Sequence, residues 1–424
     1  MKIDEIYEIY KRFPNVQTDS RKLRKGEIFF ALKGPNFNGN QFTKSALELG
    51  ASYVVADEFQ FEDERIILVE DALNALQQLA KFHREQFDIP FIAITGSNGK
   101  TTTKELIHEV LATSYKTYTT VGNLNNQIGI PLTILKIKRD AEMAVIEMGA
   151  NHLHEIASYC EYAKPGFGLI TNIGKAHLEG FGGAENVKKG KGELFDYLRL
   201  HGGTAFVNTD DPAVFDLGKK LENAIYYGSI GGNINGQILE TDPFLKIKIR
   251  GKSSFTIQSQ LVGNYNLPNL VAASCIGEYF NVTDENIKKA IENYRPSNSR
   301  SQLITKDSNT IILDAYNANP GSMKAAIENF ANMKGDNKIL MLGSMMELGQ
   351  DSQKEHEEIV SLIDKYKWHA VVLVGKQFND IKQSYINFEN SRQANEWFKN
   401  EKPQNSQILV KGSRSMQMEK VLDF

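Results

Sequence analysis

An α/β fold of three domains is what the 424-residue sequence predicts. The chain is longer than the roughly 100 to 200 residues of one typical domain, so two or three separately packed cores are expected. Short apolar runs of strand length alternate along it with stretches of helical periodicity. Near the centre, a glycine-rich loop separates a predicted strand from a predicted helix, an order typical of α/β domains.

The first domain is predicted to span residues 1–88. Its apolar runs have strand length, and its helical patterns lie between and after them. Together they predict a small α/β unit with strands at 28–32, 53–56 and 66–69 and helices near 44–50 and 72–85.

The central domain is predicted to span residues 89–295. It begins with the apolar run FIAIT, and a helical pattern follows at 100–113. Later apolar runs are separated by room for a helix, as a mostly parallel sheet requires. Beyond a glycine-rich stretch at 228–236, the alternating segment FLKIKIR predicts added antiparallel strands before a helix that starts at LPNLVAA. The separated runs lie at 141–146, 167–171 and 204–208.

The C-terminal domain is predicted to span residues 296–424. The runs IILDA, KILMLG, HAVVLVG and QILVKG recur at intervals that admit helices, which predicts a third, Rossmann-like α/β unit.

Charge and composition exclude several classes of protein. Lys and Arg number 49 against 52 Asp and Glu, for a net charge of -3, so no overall positive field favours nucleic acid or an anionic membrane. Cys160 and Cys275 are far apart and lack the spacing of a zinc site or disulfide framework. No apolar run reaches the length of a membrane helix, and the N-terminus does not resemble a signal peptide. We therefore expect a cytoplasmic monomer that acts on small molecules.

The strongest single motif is TGSNGKTTT at residues 95–103. Backbone N–H groups of such a loop and the following helix N-terminus can surround a polyphosphate, while a lysine neutralises its oxygens and a hydroxyl holds Mg²⁺. The general pattern GxxxxGK[ST] has a glycine where this chain has Ile94, so the loop is a shorter variant. A turn that only caps the helix is the alternative. The predicted nucleotide-binding residues are Gly96, Ser97, Asn98, Gly99, Lys100, Thr101 and Thr102.

Two further residues follow predicted strands. Glu147 ends the run MAVIE and would lie at the carboxyl edge of the sheet, where a carboxylate can bind Mg²⁺ or remain solvated. His177 follows FGLITNIG, and from its position alone a hydrogen-bonded polar histidine is the simpler interpretation, since Mg²⁺ prefers oxygen. His152 and His154 are two residues apart and do not share a helix face, which argues against zinc.

These motifs, in their order along the chain, resemble the Mur ligase family. TGSNGKTTT, GNLNNQIGIPLT, EMGAN, NIGKAHLEGFG and KGELF resemble the family's central domain. DSR followed by KGEIFFALKG resembles its uridine-diphosphate-binding domain, although NGNQF at 38–42 replaces the usual DGHxF. LDAYNANPGSMKAA, LGSMMELG and LVKGSRSMQME are similar to the C-terminal domain of members that add a dipeptide.

The resemblance implies an ATP- and Mg²⁺-dependent ligase that forms an amide bond through an acyl-phosphate in peptidoglycan precursor synthesis. Its substrates would be UDP-N-acetylmuramoyl-tripeptide, with lysine or diaminopimelate as third residue, and D-alanyl-D-alanine. Another Mur ligase, or a relative such as folylpolyglutamate synthase, is the alternative within the same class. A nucleotide-switched binding protein is the alternative from another class, and it leaves Glu147, His177 and Lys191 unexplained.

The resemblance also assigns roles to residues. Lys100, Glu147, His177 and Lys191 would be catalytic, with Lys191 carbamylated on Nζ and Thr101, Glu147, His177 and the carbamate as metal ligands. Asn266, Asn269, Arg300 and Asp314 would bind ATP, although Tyr265 stands where the family often has histidine. The residues implied for substrate binding are Ser20, Arg21, Asn123, Asn125, Asn126, Asn317, Asn319 and Ser322. The last three could equally be turn residues and caps of a helix starting near Ser322.

Overall fold

Three strand-and-helix units follow one another in the computed structural model, which describes residues 2–297 and 299–423. In the first unit, β1, β2, β5 and β6 form a parallel sheet in that order, and β3 pairs with β4 as a small hairpin. The elements are α1 (Ile3–Arg12), β1 (Val16–Gln17), β2 (Ile28–Phe30), β3 (Lys33–Gly34), β4 (Phe37–Asn38), α2 (Thr43–Glu48), β5 (Tyr53–Ala56), β6 (Ile66–Leu68) and α3 (Ala72–Arg84).

The first unit is packed directly onto the second through α1 and α3. The apolar face of α3, with Leu76 and Leu79 fully buried, joins the same core as residues of the central unit. At its end, the Arg84 guanidinium donates to the carbonyls of Ala163 and Lys164 and lies 3.8 Å from the centroid of the Phe91 ring. The contact between the two units is therefore continuous apolar packing closed by hydrogen bonds.

The central unit is built on one sheet in the order β15-β14-β13-β12-β11-β10-β7-β9-β8. Its strands run parallel from β8 to β13, and β14 and β15 continue the sheet antiparallel. The strands are β7 (Phe91–Thr95), β8 (Thr117–Thr119), β9 (Met143–Glu147), β10 (Phe167–Ile170), β11 (Thr204–Asn208), β12 (Ala224–Gly228), β13 (Ile234–Glu240), β14 (Lys246–Arg250) and β15 (Ser254–Gln258). The helices are α4 (Lys100–Ala112), α5 (Gly129–Ile134), α6 (Glu155–Ala163), α7 (Leu178–Phe181), α8 (Ala184–Leu200), α9 (Pro212–Gly218), α10 (Leu267–Tyr279) and α11 (Asp284–Asn293).

The neighbouring strands β9, β7 and β10 position the site. Because they are parallel, their carboxyl ends meet at one edge of the sheet, and side chains that follow them converge there. Behind this edge, α10 is apolar nearly all round and packs on α4, so the start of α4 is supported from the interior.

The C-terminal unit has the sheet order β16-β17-β21-β18-β19-β20, in which only the β16–β17 pair is antiparallel. Its elements are β16 (Gln302–Lys306), β17 (Asn309–Asp314), α12 (Pro320–Asn332), β18 (Lys338–Gly343), α13 (Ser352–Ile363), β19 (Ala370–Val374), β20 (Ile386–Phe388), α14 (Ser391–Glu401) and β21 (Gln407–Lys411). The parallel part, with helices between its strands, is the predicted Rossmann-like arrangement.

The predicted fold class is confirmed: the chain is α/β, with a parallel sheet at the centre and a further parallel sheet at the C-terminus. The predicted boundaries at 88/89 and 295/296 fall between sheets, and they stay predictions. Within residues 2–297 and 299–423, no helix combines the length and apolar character needed to cross a membrane.

Candidate active site

The glycine-rich loop connects β7 to α4, as predicted, and two of its glycines are required by geometry. Gly96 has a φ of 139° and Gly99 a φ of 79°, both in the region that favours glycine. A Cβ at Gly96 would lie 2.0 Å from Oγ1 of Thr171, and one at Gly99 would lie 2.7 Å from Oδ1 of Asn269. Any side chain there would push the loop off its supports.

Those supports come from the end of β10. The backbone N–H of Asn98 donates to Oδ1 of Asn172 at 3.0 Å, and Oγ1 of Thr171 donates to the Asn98 carbonyl at 2.6 Å. Ser97 Oγ and the backbone of Gly174 exchange two further hydrogen bonds. Thr171 and Asn172 were not assigned a role from the sequence, although both lie at the end of a predicted strand.

Lys100 curls back over the loop from the first turn of α4. Its Nζ donates to the carbonyl of Gly96 at 2.8 Å and to that of Ser97 at 3.3 Å. Burial lowers the pKa of Lys100, and nearby Glu147 opposes that shift. The ammonium is thus held at the mouth of the loop, where a phosphate would lie.

Glu147 is not the solvated strand-end carboxylate of the alternative interpretation, because it is only 1% exposed. Its Oε1 accepts hydrogen bonds from Thr101 Oγ1 at 3.1 Å and from Asn125 Nδ2 at 2.8 Å. Its Oε2 is buried and has no hydrogen-bond partner among the described residues. A buried carboxylate oxygen without a donor suits a cation, and a hydroxyl is already beside it.

Lys191 lies on α8 and is fully buried, so it is not an ordinary surface lysine. Its Nζ donates to the Ala150 carbonyl at 2.8 Å. Burial, reinforced by the nearby charge of Lys100, holds the pKa of Lys191 well below its usual range. This direction of shift favours the neutral amine.

His177 precedes α7 with a left-handed φ of 54°, and it borders the cleft. Its Nδ1 is 2.5 Å from Oε2 of Glu347, a residue of the C-terminal unit. This contact with His177 lowers the pKa of the Glu347 carboxyl. Within residues 2–297 and 299–423, no three His, Cys, Asp or Glu side chains are grouped as ready metal ligands.

The two asparagines assigned to the nucleotide are buried at the start of α10. Nδ2 of Asn269 donates to Oδ1 of Asn266 at 2.8 Å, and Oδ1 of Asn269 accepts from Thr103 Oγ1 at 3.0 Å. Both border the cleft beside Tyr265, whose hydroxyl is 3.1 Å from Ser301 Oγ.

The C-terminal unit supplies the facing wall. The Arg300 guanidinium stacks on the Tyr316 ring, 3.5 Å from its centroid. Asp314 accepts from Lys411 Nζ at 2.6 Å and from the Ser301 N–H at 3.1 Å. Lys411 was not assigned a role from the sequence, although it opens the quoted KGSR motif. It is only 2% exposed, and Asp314 compensates its charge.

Asn319 and Ser322 are helix caps, as the alternative interpretation expected, and they also lie at the cleft. Asn319 is the N-cap of α12, which begins at Pro320 rather than near Ser322. Nδ2 of Asn319 also donates to Oδ1 of Asn98 at 2.8 Å, so the cap reaches the phosphate loop of the central unit. Oδ1 of Asn317 accepts from the N–H of Ala318, as a turn residue does.

The asparagines of the loop before α5 make different contacts. Asn125 contacts Glu147, whereas Oδ1 of Asn126 accepts from the N–H of Gly129, the first residue of α5, at 2.9 Å. Asn123 is exposed at the mouth of the cleft.

One cleft of about 780 Å³ brings together most of the predicted residues. Those that border it are Ser97, Asn98, Gly99, Lys100, Thr101, Thr102, Asn123, Asn125, Asn126, Glu147, His177, Asn266, Asn269, Arg300, Asp314, Asn317, Asn319 and Ser322. Gly96 and Lys191 do not border it, but Gly96 precedes Ser97 in the loop, and Lys191 Nζ donates to the carbonyl of Ala150, which does border it.

Ser20 and Arg21 lie elsewhere, in a short 3₁₀ helix of the first unit. The Arg21 side chain is 86% exposed and forms a two-pronged ion pair with Asp19, which lowers the pKa of Asp19 to about 2. Their assignment to the uridine diphosphate stays a prediction.

Family models match the chain in three consecutive segments. Residues 12–84 match the model described as "Mur ligase family, catalytic domain". Residues 94–277 match "Mur ligase middle domain", and residues 299–414 match "Mur ligase, glutamate ligase domain".

Individual proteins match over nearly the full length. The UDP-N-acetylmuramoyl-tripeptide–D-alanyl-D-alanine ligase of Bacillus subtilis strain 168 is 34% identical over 96% of this chain and 92% of its own. A crystal structure of MurF from Acinetobacter baumannii superposes with a TM-score of 0.89 at 30% identity, covering 96% of this chain and 92% of that one. The Thermotoga maritima MurF ligase in complex with ADP has a TM-score of 0.87 at 28% identity, covering 100% and 98%.

Proposed function

This chain belongs to the Mur ligase family, and we propose that it joins D-alanyl-D-alanine to UDP-N-acetylmuramoyl-tripeptide with cleavage of ATP. The resemblance found in its motifs is thereby confirmed, and the chain is an ATP-dependent ligase. The observation that carries the proposal is the single cleft in which the phosphate loop and Glu147 face Asn317 and Asn319 of the C-terminal unit.

ATP would bind with its phosphates on the loop and its adenine toward Asn266 and Asn269. The N-terminus of α4 favours negative charge at the cleft, and Lys100, in its first turn, stands beside the loop. Arg300, fixed against Tyr316, offers a planar fork for phosphate oxygens, and Asp314 would meet the ribose.

The residues around Glu147 fit Mg²⁺, which when bound would neutralise phosphate oxygens during transfer to the tripeptide carboxylate. Thr101 Oγ1 and the unpaired Oε2 of Glu147 are hard oxygen donors of the kind this ion prefers. Thr101, Glu147, His177 and carbamylated Lys191 are the proposed ligands. The neutral amine that burial favours at Lys191 is the form that reacts to a carbamate.

The acceptor would lie across the first and central units. Ser20 and Arg21 would hold the uridine diphosphate, and Asn123, Asn125 and Asn126 would face the peptide carboxylate. Once that carboxylate is an acyl-phosphate, the dipeptide amine attacks its carbonyl carbon, phosphate leaves, and the amine loses a proton. The C-terminal unit, through Asn317, Asn319 and Ser322, would hold the dipeptide.

The test offers the purified protein ATP, Mg²⁺ and UDP-N-acetylmuramoyl-tripeptide carrying either lysine or diaminopimelate. D-alanyl-D-alanine is compared with D-alanine, glutamate and no amine, and phosphate release and product mass are measured together. Lys100→Ala, prepared in parallel, controls for a contaminating ligase. We expect product only with the dipeptide, since a single amino acid leaves polar groups of the site unpaired, an effect that can reach about 10⁴-fold in rate.

Three outcomes would contradict the proposal. Equal ligation of a single amino acid to the uridine nucleotide would indicate another Mur ligase. Glutamate addition to a folate would indicate the folylpolyglutamate synthase activity. ATP binding without product under any condition would favour a nucleotide-switched binding protein. We propose the cytoplasm as the site of action and a monomer as the active form.

A further inference from the structure

The MMELG segment of the C-terminal unit places a carboxylate against the central unit. Oε2 of Glu347 lies 2.5 Å from Nδ1 of His177, and both residues border the cleft. Glu347 has a φ of 62°, a left-handed conformation that is unfavourable for a residue with a Cβ. Its carbonyl accepts from the N–H of Glu179 at 3.3 Å, so its backbone is also held against α7.

The His177 ring is turned so that its two nitrogens have different surroundings. Nδ1 is shut off from solvent, and its close contact with Glu347 Oε2 does not have the angle of a hydrogen bond, whereas the side chain as a whole remains 20% exposed. The exposed part of the ring therefore excludes Nδ1. Histidines that bind metals usually donate their other ring N–H to a carboxylate, which fixes the tautomer and the ring orientation. Glu347 occupies the position of that carboxylate, but it comes from a different domain.

We propose that Glu347 is a positioning residue: with the C-terminal unit closed, a small rotation of the His177 ring lets the adjacent Glu347 carboxylate accept from Nδ1–H, which fixes that tautomer and leaves Nε2 available to a metal. The proposal rests on the proposed function. On this proposal, the orientation of the His177 ring depends on domain closure, because Glu347, the carboxylate beside Nδ1, belongs to the C-terminal unit.

A simpler account is that the pair only holds the two units together. The chain offers a matched control for it, since Lys175 Nζ lies 2.5 Å from Glu355 Oε1 across the same junction. Neither residue of that pair is a proposed ligand. The double variant Lys175→Met/Glu355→Gln removes this second junction pair without leaving a buried carboxylate unpaired.

The experiment compares Glu347→Ala, Glu347→Gln and the control double variant in the full-length protein. We expect Glu347→Ala to lower kcat and to raise the Mg²⁺ concentration needed for half-maximal rate, each by about 10- to 100-fold. KM for the uridine nucleotide should not change. Glu347→Gln should recover most of the loss, because its amide oxygen still accepts from Nδ1–H, and the control should stay within about twofold of wild type.

A second readout does not depend on turnover. In ¹⁵N-histidine-labelled protein with ADP and Mg²⁺, the His177 ring nitrogens should report one tautomer in wild type and a mixture in Glu347→Ala; loss of the signal in His177→Asn assigns it. An unchanged tautomer, equal losses in the control variant, or a rise in KM alone would overturn the proposal. If the wild type forms no product, the proposed function fails, and the tautomer comparison still decides the role of Glu347.

Discussion

At the scale of single residues, Lys191 has the environment that departs most from what its type prefers. An ammonium group without solvent or a carboxylate partner is unfavourable, and Nζ here donates to the Ala150 carbonyl. Such a position is costly for stability and is expected where an amine must be neutral.

We expect Lys191→Ala to lose nearly all activity, because an anionic ligand formed on the amine would be absent. Small carboxylates such as acetate should restore part of the rate by occupying the vacated space. Phosphate release measured with and without acetate tests this. Lys189→Ala is the control. Lys189 lies two residues from Lys191 but on the exposed face of α8, so this variant should be fully active. Failure of acetate to restore any activity to Lys191→Ala, or full activity of Lys191→Ala without acetate, would remove Lys191 from the reaction.

Residue-scale prediction from the sequence succeeded where spacing along the chain sets the geometry. The loop from Gly96 to Thr102 is local, so its conformation followed from strand, glycines and helix. Asn172, Glu347 and Lys411 were not assigned roles, because their contacts join segments separated by 74, 170 and 97 positions in sequence. Only folding brings those side chains together.

At the scale of elements, the junction between α3 and the central unit contains a buried histidine. Nε2 of His83 is 2.8 Å from the Ile137 carbonyl, so it must donate, and Nδ1 then accepts from the Tyr7 hydroxyl at 3.1 Å. Burial lowers the pKa of His83. The native protein therefore binds this proton less tightly than the unfolded chain, whose histidine pKa is about 6.5.

The free energy of unfolding should accordingly fall as the pH drops below about 6.5, by at most about 1.4 kcal/mol per pH unit for one proton. Above that pH the contribution of His83 is constant. Urea unfolding of wild type and His83→Asn at pH 7.5 and 5.5 measures it: the wild type should lose more stability on acidification than the variant. Equal losses would show that His83 does not set this pH dependence.

Element prediction failed for short strands that lack an apolar run. β8, with the sequence TYT, and β20, with INF, lie at sheet edges and depend on their neighbours for their conformation. The long helix α10 was predicted from its long apolar run, and most of its residues are buried, although Tyr279 at its end is exposed.

At the scale of the whole molecule, the cleft is closed by contacts between the central and C-terminal units. Asn98 meets Asn319, Tyr265 meets Ser301, and Arg300 lies on the segment that joins the units. Arg300 also borders the cleft, and on the proposed function it faces the nucleotide.

We expect Arg300→Ala to raise KM for ATP about tenfold or more, since a hydrogen bond from a charged group contributes roughly 1.5–3 kcal/mol. KM for the dipeptide should change less. Arg295→Ala, an exposed arginine on the same connecting segment, serves as control and should match wild type. An unchanged ATP dependence would confine Arg300 to a structural role.

Because α3 packs tightly on the central unit, the distance between sites on the first two units is fixed. On the proposed function, that distance runs from the bound uridine diphosphate to the phosphate loop. Packing around Leu76, Leu79 and Arg84 keeps it constant. A nucleotide whose peptide is one residue shorter would leave its carboxylate about 3.5 Å short of the transferred phosphate. We expect UDP-N-acetylmuramoyl-dipeptide to compete for binding and yet release no phosphate; its turnover would show that the span adjusts. Substrate length would then be measured by an interface that touches no substrate.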